Sequence, residues 1–177
     1  MKQRGENIIL IGMSGAGKST LGVLLAKALG KNFFDTDLLL QQTEGCLLQE
    51  TIDRKGVEYF MSLEERAISK LKLRGCVIAT GGSVVYSKRG MEHLRRSGRV
   101  VYLRVSFEEL SGRLSNITTR GIVFKGAGDL RAVYEERLPL YERYADLTVD
   151  CTGHSVEDSV RAIVSALEEK KQAETTK

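Results

Sequence analysis

Tryptophan is absent from this chain of 177 residues, proline occurs once, at Pro139, and there are only three cysteines and two histidines. With a single proline, chain reversals must rest mainly on Gly, Asp and Asn. Cys46, Cys76 and Cys151 have no metal-ligand spacing and lie in or beside apolar segments, so reduced and mostly buried thiols are expected. His93 and His154 belong to no constellation that would make a metal site or a catalytic dyad, and exposed helix or loop positions are expected for them. No apolar run approaches the length of a bilayer, and no small-residue cleavage site follows one, so neither membrane insertion nor secretion is expected and a cytoplasmic location is. Charge of one sign is also lacking. The 27 Lys and Arg exceed the 23 Asp and Glu by four, and the signs alternate along most helical stretches, which gives no indication of nucleic-acid binding. So mild a positive balance suits a site that gathers anionic small molecules and is equally compatible with no special partner.

What is present is an ordinary globular composition, 42% hydrophobic and 28% charged. One domain over residues 1–170 is expected, acting as a monomer. Past Glu168 the run "EEKKQAETTK" has no apolar face, so a frayed end is expected there, with 171–177 a disordered tail. Short apolar runs, "NIILIG", "NFFDTD", "CVIATGG", "RVVYLRV" and "DLTVDC", read as strands. Between them lie helical patterns at Ser19 to Leu29, Lys88 to Arg96, Phe107 to Leu114 and Leu130 to Arg143, and a broken helical region from Leu38 to Leu73. Strands apolar on both faces and separated by helices predict an α/β fold with a five-stranded parallel sheet, whose ligands gather at the carboxyl ends of the strands. The Gly-containing "TTRGIVFKGAGD" reads as a mobile loop.

"GMSGAGKST" carries the first chemistry. Gly12, Gly17, Lys18 and Ser19 fit GxxxxGKS with a strand before and a helix after, the context that this motif needs. Its glycines turn backbone N–H groups around phosphate oxygens, the helix aims its positive end at them, and Lys18 adds a mobile charge. Ser19 offers a hydroxyl to Mg²⁺. Asp35 and Asp37 follow the second strand. Strand alternation would point both carboxylates the same way, one to hold Mg²⁺ through water and one to receive a proton from an acceptor hydroxyl; alternatively Asp37 caps the helix at Leu38. Gly81 and Gly82 in "ATGGS" allow close approach of a ligand or simply make a tight turn. Arg113, Arg120 and Arg137 could clamp phosphate or carboxylate.

Taken together, "GMSGAGKST", "FFDTD", "ATGG", the Arg of "GRLSN", the Arg of "TTRG" and "ERLPLYERYAD" resemble the shikimate kinase family in order and spacing from about Asn7 to Asp150. The resemblance implies a three-layer P-loop kinase fold, with a substrate-binding helical region at about 35–65, a lid at about 115–128, and transfer of the γ-phosphoryl group of ATP to a hydroxyl of shikimate. By the same resemblance Ser14, Gly15, Ala16, Gly17, Lys18, Ser19, Thr20, Arg113 and Arg120 contact the nucleotide, and Ser19 and Asp35 serve Mg²⁺. Asp37, Gly81, Gly82 and Arg137 hold the acceptor, and Lys18, Asp37 and Arg120 do the catalytic work.

Two positions depart from the family pattern. Met61 stands where the family has an Arg that binds the shikimate carboxylate, and Met cannot form that bidentate pair. Ser83 stands in place of a third glycine. Glu64, which in the family orients the missing Arg, is left either in a remodelled pocket or as a solvated helix residue, and Arg54, Lys55 and Lys125 are the candidates for a replacement charge. Two other readings follow: a kinase for a different small hydroxylated metabolite, or a nucleotide-binding protein without catalysis. The joint presence of Lys18, Ser19, Asp35, Asp37 and Arg120 speaks against the latter.

Overall fold

The five apolar runs form five parallel strands: β1 (Asn7–Ile11), β2 (Asn32–Asp35), β3 (Cys76–Ala79), β4 (Gly98–Arg104) and β5 (Leu147–Asp150). The structure is a computed structural model, and it describes residues 5–115 and 129–175. Spatial order is β2-β3-β1-β4-β5, which sets β1 in the middle with Ile9 opposite Ile78 on one side and Val100 on the other. Every residue of β1 and β3 is buried, as strands covered on both faces must be, whereas β2 and β5 at the edges are partly exposed.

Among the described residues eight α-helices pack around this sheet: α1 (Lys18–Leu29), α2 (Thr36–Glu44), α3 (Leu48–Lys55), α4 (Val57–Ser69), α5 (Lys88–Ser97), α6 (Phe107–Ser115), α7 (Leu130–Tyr144) and α8 (Val156–Thr175). α1 and α8 pack on each other and on the sheet, and α4, α5 and α7 form a second layer through contacts of α4 with α5 and of α5 and α7 with β4. The broken helical region resolves into α2, α3 and α4, separated at Gly45 and Gly56. These three helices have an apolar cluster of their own, Leu40, Phe60 and Leu63 with Leu48, Ile52 and Met61 packed against them. The stretch between β2 and β3 is therefore held by its own packing as well as by the sheet.

Three expectations are corrected. α8 runs to Thr175 instead of fraying after Glu168. Its last turns are rich in Ala, Glu, Lys and Gln, strong helix formers, and Glu174 accepts a 2.7 Å hydrogen bond from Arg99 of β4. Strand alternation does not relate Asp35 to Asp37, because β2 ends at Asp35 and Asp37 lies in the first turn of α2. His93 is half-buried, with Nε2 2.8 Å from the Leu71 carbonyl oxygen, whereas His154 is exposed as expected. The cysteines are free, with Cys76 and Cys151 buried and Cys46 half-buried.

Asn7 joins the amino ends of the central strands. Fully buried, it donates from Nδ2 to the carbonyls of Leu73 (2.8 Å) and Ser97 (3.2 Å) and accepts from the amide of Cys76 (3.0 Å). Asn7→Ala would leave these groups buried and unpaired, and is expected to cost about 2–3 kcal/mol, lowering Tm by roughly 5–10 °C in a thermal melt. A loss below about 0.5 kcal/mol would mean that the freed groups find other partners.

Candidate active site

Beyond Ile11 the chain does not enter α1 directly but loops from Gly12 to Gly17 above the sheet. Gly12 has φ +144°, and a β-carbon on it would stand 2.7 Å from the Leu103 carbonyl oxygen, so the loop lies against β4 as only glycine permits. Gly17 caps α1 in a left-handed conformation, no side chain caps the first turn, and that turn holds no acidic residue. The orphan amides and the positive end of α1 are thereby left to an anion. Lys18 is nearly buried, and its Nζ donates to the carbonyls of Gly12 and Met13, both at 2.8 Å. Arg113 braces the loop from α6: Nη1 donates to the Gly15 carbonyl at 3.0 Å, while Nη2 is paired with Glu109.

Ser19 Oγ donates to Asp35 Oδ2 at 2.6 Å, which joins a hydroxyl and a carboxylate across 16 residues of sequence. The other carboxylate oxygen of Asp35 accepts from the amides of Asp37 (2.9 Å) and Leu38 (3.3 Å). Asp35 is thus the cap of α2, the part that the sequence offered to Asp37, and Asp37 is turned into the site.

A cavity of about 300 Å³ lies between these groups. Ser14, Gly15, Gly17, Lys18 and Ser19 line one side of it, Asp35, Asp37, Thr80 and Gly82 another, and Leu38, Gln41 and Leu48 close the end toward α2 and α3. Ala16 is buried within the loop and Thr20 is exposed on α1, so neither lines the cavity. Arg137 is 1% exposed and sits behind Gly82, where a β-carbon would come within 3.0 Å of its Nη1; its Nε donates to Tyr86 Oη at 3.2 Å. Arg120 and Lys125 lie outside the described residues, as does the lid expected at about 115–128 beyond its first residue.

Several supporting residues went unnoticed in the sequence. Tyr141, one turn beyond Arg137 on α7, is fully buried and donates to the Gly82 carbonyl at 2.7 Å. Thr36 accepts from the Gly81 amide at 3.3 Å, and Thr80 donates to the Leu10 carbonyl at 2.9 Å. The spacing of four between Arg137 and Tyr141 was a usable signal for a shared helix face; for the threonines there was none.

The two departures have clear places. Met61 is half-buried in the apolar cluster of α2, α3 and α4 and does not line the cavity. Arg54 is exposed on α3, and Lys55 is bound to Glu44 at 2.6 Å, so among the described residues Lys18 is the one cation lining the cavity. Glu64 is no solvated helix residue: it is 2% exposed and its Oε2 accepts from Ser83 Oγ at 2.7 Å.

A family model described as "Shikimate kinase" matches residues 14–168. A shikimate kinase of Thiobacillus denitrificans is 39% identical over 166 residues, covering 92% of this chain and 91% of its own length. One from Synechococcus sp. is 39% identical over 168 residues, covering 93% and 85%. Among solved structures, shikimate kinase from Acinetobacter baumannii in complex with shikimate superposes with a TM-score of 0.86 at 28% identity, covering 94% of each chain.

Because the loop lies so close to β4, Gly12→Ala would lift it from Leu103 and misalign its amides. Calorimetric titration of that variant with ATP and Mg²⁺ is expected to show affinity reduced roughly tenfold or more, the scale of removing one charge-assisted hydrogen bond. Wild-type affinity would mean that the loop does not bind through its amides.

Proposed function

The chain belongs to the shikimate kinase family, and from that premise we propose how its residues divide the work of phosphoryl transfer. The enzyme transfers the γ-phosphoryl group of ATP to a hydroxyl of shikimate, giving shikimate 3-phosphate and ADP. One observation carries the division of labour: Ser14, Gly15, Gly17, Lys18 and Ser19 on the phosphate side and Asp37 and Gly82 on the acceptor side line a single cavity. Holding both reactants in one cavity turns a bimolecular encounter into an oriented intramolecular step.

The amides of Gly15 to Ser19 and the start of α1 take the phosphate oxygens, with Ser14 and Thr20 flanking them. Lys18 exchanges the carbonyls of Gly12 and Met13 for phosphate oxygens and follows the charge as it develops on the transferred group. Asp37 receives the proton of the acceptor hydroxyl, or a hydrogen bond from it. Gly81, Gly82 and Arg137 hold the acceptor, with Tyr141 fixing the Gly82 carbonyl from behind. Arg113 lies against the nucleotide loop, and Arg120 adds positive charge from the lid.

Ser19 and Asp35 would hold Mg²⁺. A hydroxyl and a carboxylate already in hydrogen-bond contact are the hard oxygen donors that such an ion takes, its remaining places going to water and phosphate. When bound, the ion neutralises charge on the phosphate oxygens. The enzyme works as a cytoplasmic monomer without a nucleic-acid partner; among the described residues no helix is long and apolar enough to cross a membrane.

Lys18→Ala and Asp37→Asn are each expected to lower kcat by roughly two to four orders of magnitude, read as ADP release with shikimate minus release without acceptor. If Asp37→Asn kept more than about a third of the wild-type rate, the proton-accepting role would belong to another group.

A further inference from the structure

Glu64 has no part in the transfer as described, yet it is one of the most deeply buried charged side chains in the protein. Ser83 Oγ holds its Oε2, and its Oε1 is buried with no hydrogen-bond partner among the described residues. That oxygen and a carboxylate oxygen of Asp37 converge on Gly81: a β-carbon there would stand 2.6 Å from Glu64 Oε1 and 2.9 Å from Asp37 Oδ1. The bare α-carbon of Gly81 lets two carboxyl groups approach one point at the edge of the acceptor site.

The titratable and charged groups facing Glu64 come from three elements: Asp37 of α2, Lys18 of α1, and Arg137 and Tyr141 of α7. Lys18 is engaged with the phosphate loop and Arg137 with Tyr86. Met61, nearly one turn earlier on α4, brings no charge. Two carboxylates this close in a buried setting cannot both ionise cheaply.

We propose that Glu64 is a positioning residue for the acceptor, acting through Asp37. With a proton, it leaves Asp37 as the single negative charge over Gly81 and the anionic acceptor enters; ionised, it sets a second negative charge beside Asp37 and turns the acceptor away. Burial pushes the Glu64 carboxyl up to about 7, and the charge of Asp37 pushes it the same way, against the Ser83 hydrogen bond, Arg137 and Lys18. A carboxyl raised in this way is neutral below about 7 and charged above, so acceptor binding is strong on the acid side and weakens as pH rises. The inference rests on shikimate being the acceptor.

The test is KM for shikimate at saturating ATP and Mg²⁺ from pH 6 to 9, in wild type, Glu64→Gln and Ser83→Gly, with KM for ATP followed alongside. In wild type the shikimate KM is expected to be flat below about 7 and then to rise by up to tenfold per pH unit, as the binding-competent fraction falls. Glu64→Gln, fixed in the neutral form, keeps KM low and flat. Ser83→Gly removes a hydrogen bond that favours the charged carboxylate and moves the rise to higher pH. A flat wild-type profile, or the same rise in Glu64→Gln, overturns the inference. Should Glu64→Gln fail to fold, an unmoved midpoint in Ser83→Gly overturns it instead. Wild type that transfers nothing to shikimate at any pH defeats the functional reading itself, an outcome distinct from turnover with a pH-independent KM.

Discussion

The bare amino end of α1, set at the exit of the middle strand, is what the rest of the molecule is arranged to support. Its first-turn amides are satisfied by no capping side chain, and an acid there would repel an anion; this chain supplies neither a cap nor an acid. Holding such an end in place requires support from outside the helix. β4 presses on Gly12, Lys18 ties the loop carbonyls of Gly12 and Met13, and Arg113 reaches from α6 to the carbonyl of Gly15. Lys18 and Arg113 both hold carbonyls of the loop, and within it the Ala16 amide donates to the Met13 carbonyl at 3.1 Å.

The wall proposed for the acceptor is built differently, from short pieces of three remote segments. Asp37 comes from the start of α2, Gly81 and Gly82 from the turn after β3, and Arg137 and Tyr141 from α7. Parallel neighbours in the sheet make this meeting possible, since β2 pairs with β3 and β3 with β1, so their carboxyl ends open on the same edge. α2, α3 and α4 add a small body with its own apolar cluster, which Glu44, Lys55 and Tyr59 knit together at the surface. Met61 belongs to that packing and not to the wall.

Two residues shape the surroundings of Glu64. Met61, three residues earlier on α4, brings no charge, and Ser83 gives the Glu64 carboxylate a neutral partner. A neutral hydrogen bond favours the ionised form less than a guanidinium would, so desolvation dominates and the group sits where it exchanges a proton near neutrality. Under the role proposed for Glu64, the charge of the acceptor site becomes a function of pH through a residue that never meets the transferred phosphate.

Local patterns settled much in advance. Five short apolar runs marked the strands, helical patterns between them implied a parallel sheet, and GxxxxGKS between strand and helix marked the phosphate loop by backbone chemistry alone. Where reading along the chain failed, the deciding contact was distant in sequence. The end of α8 is held by Arg99 from another layer, and Tyr141 matters because α7 crosses behind Gly82. Above all, the state of Glu64 depends on the burial of α4 and on Asp37, Ser83 and Arg137, none of them on its own helix. Periodicity and backbone conformation are properties of neighbouring residues and can be read in one dimension, whereas dielectric, charge proximity and the pairing of buried polar groups arise only when separate segments pack in three.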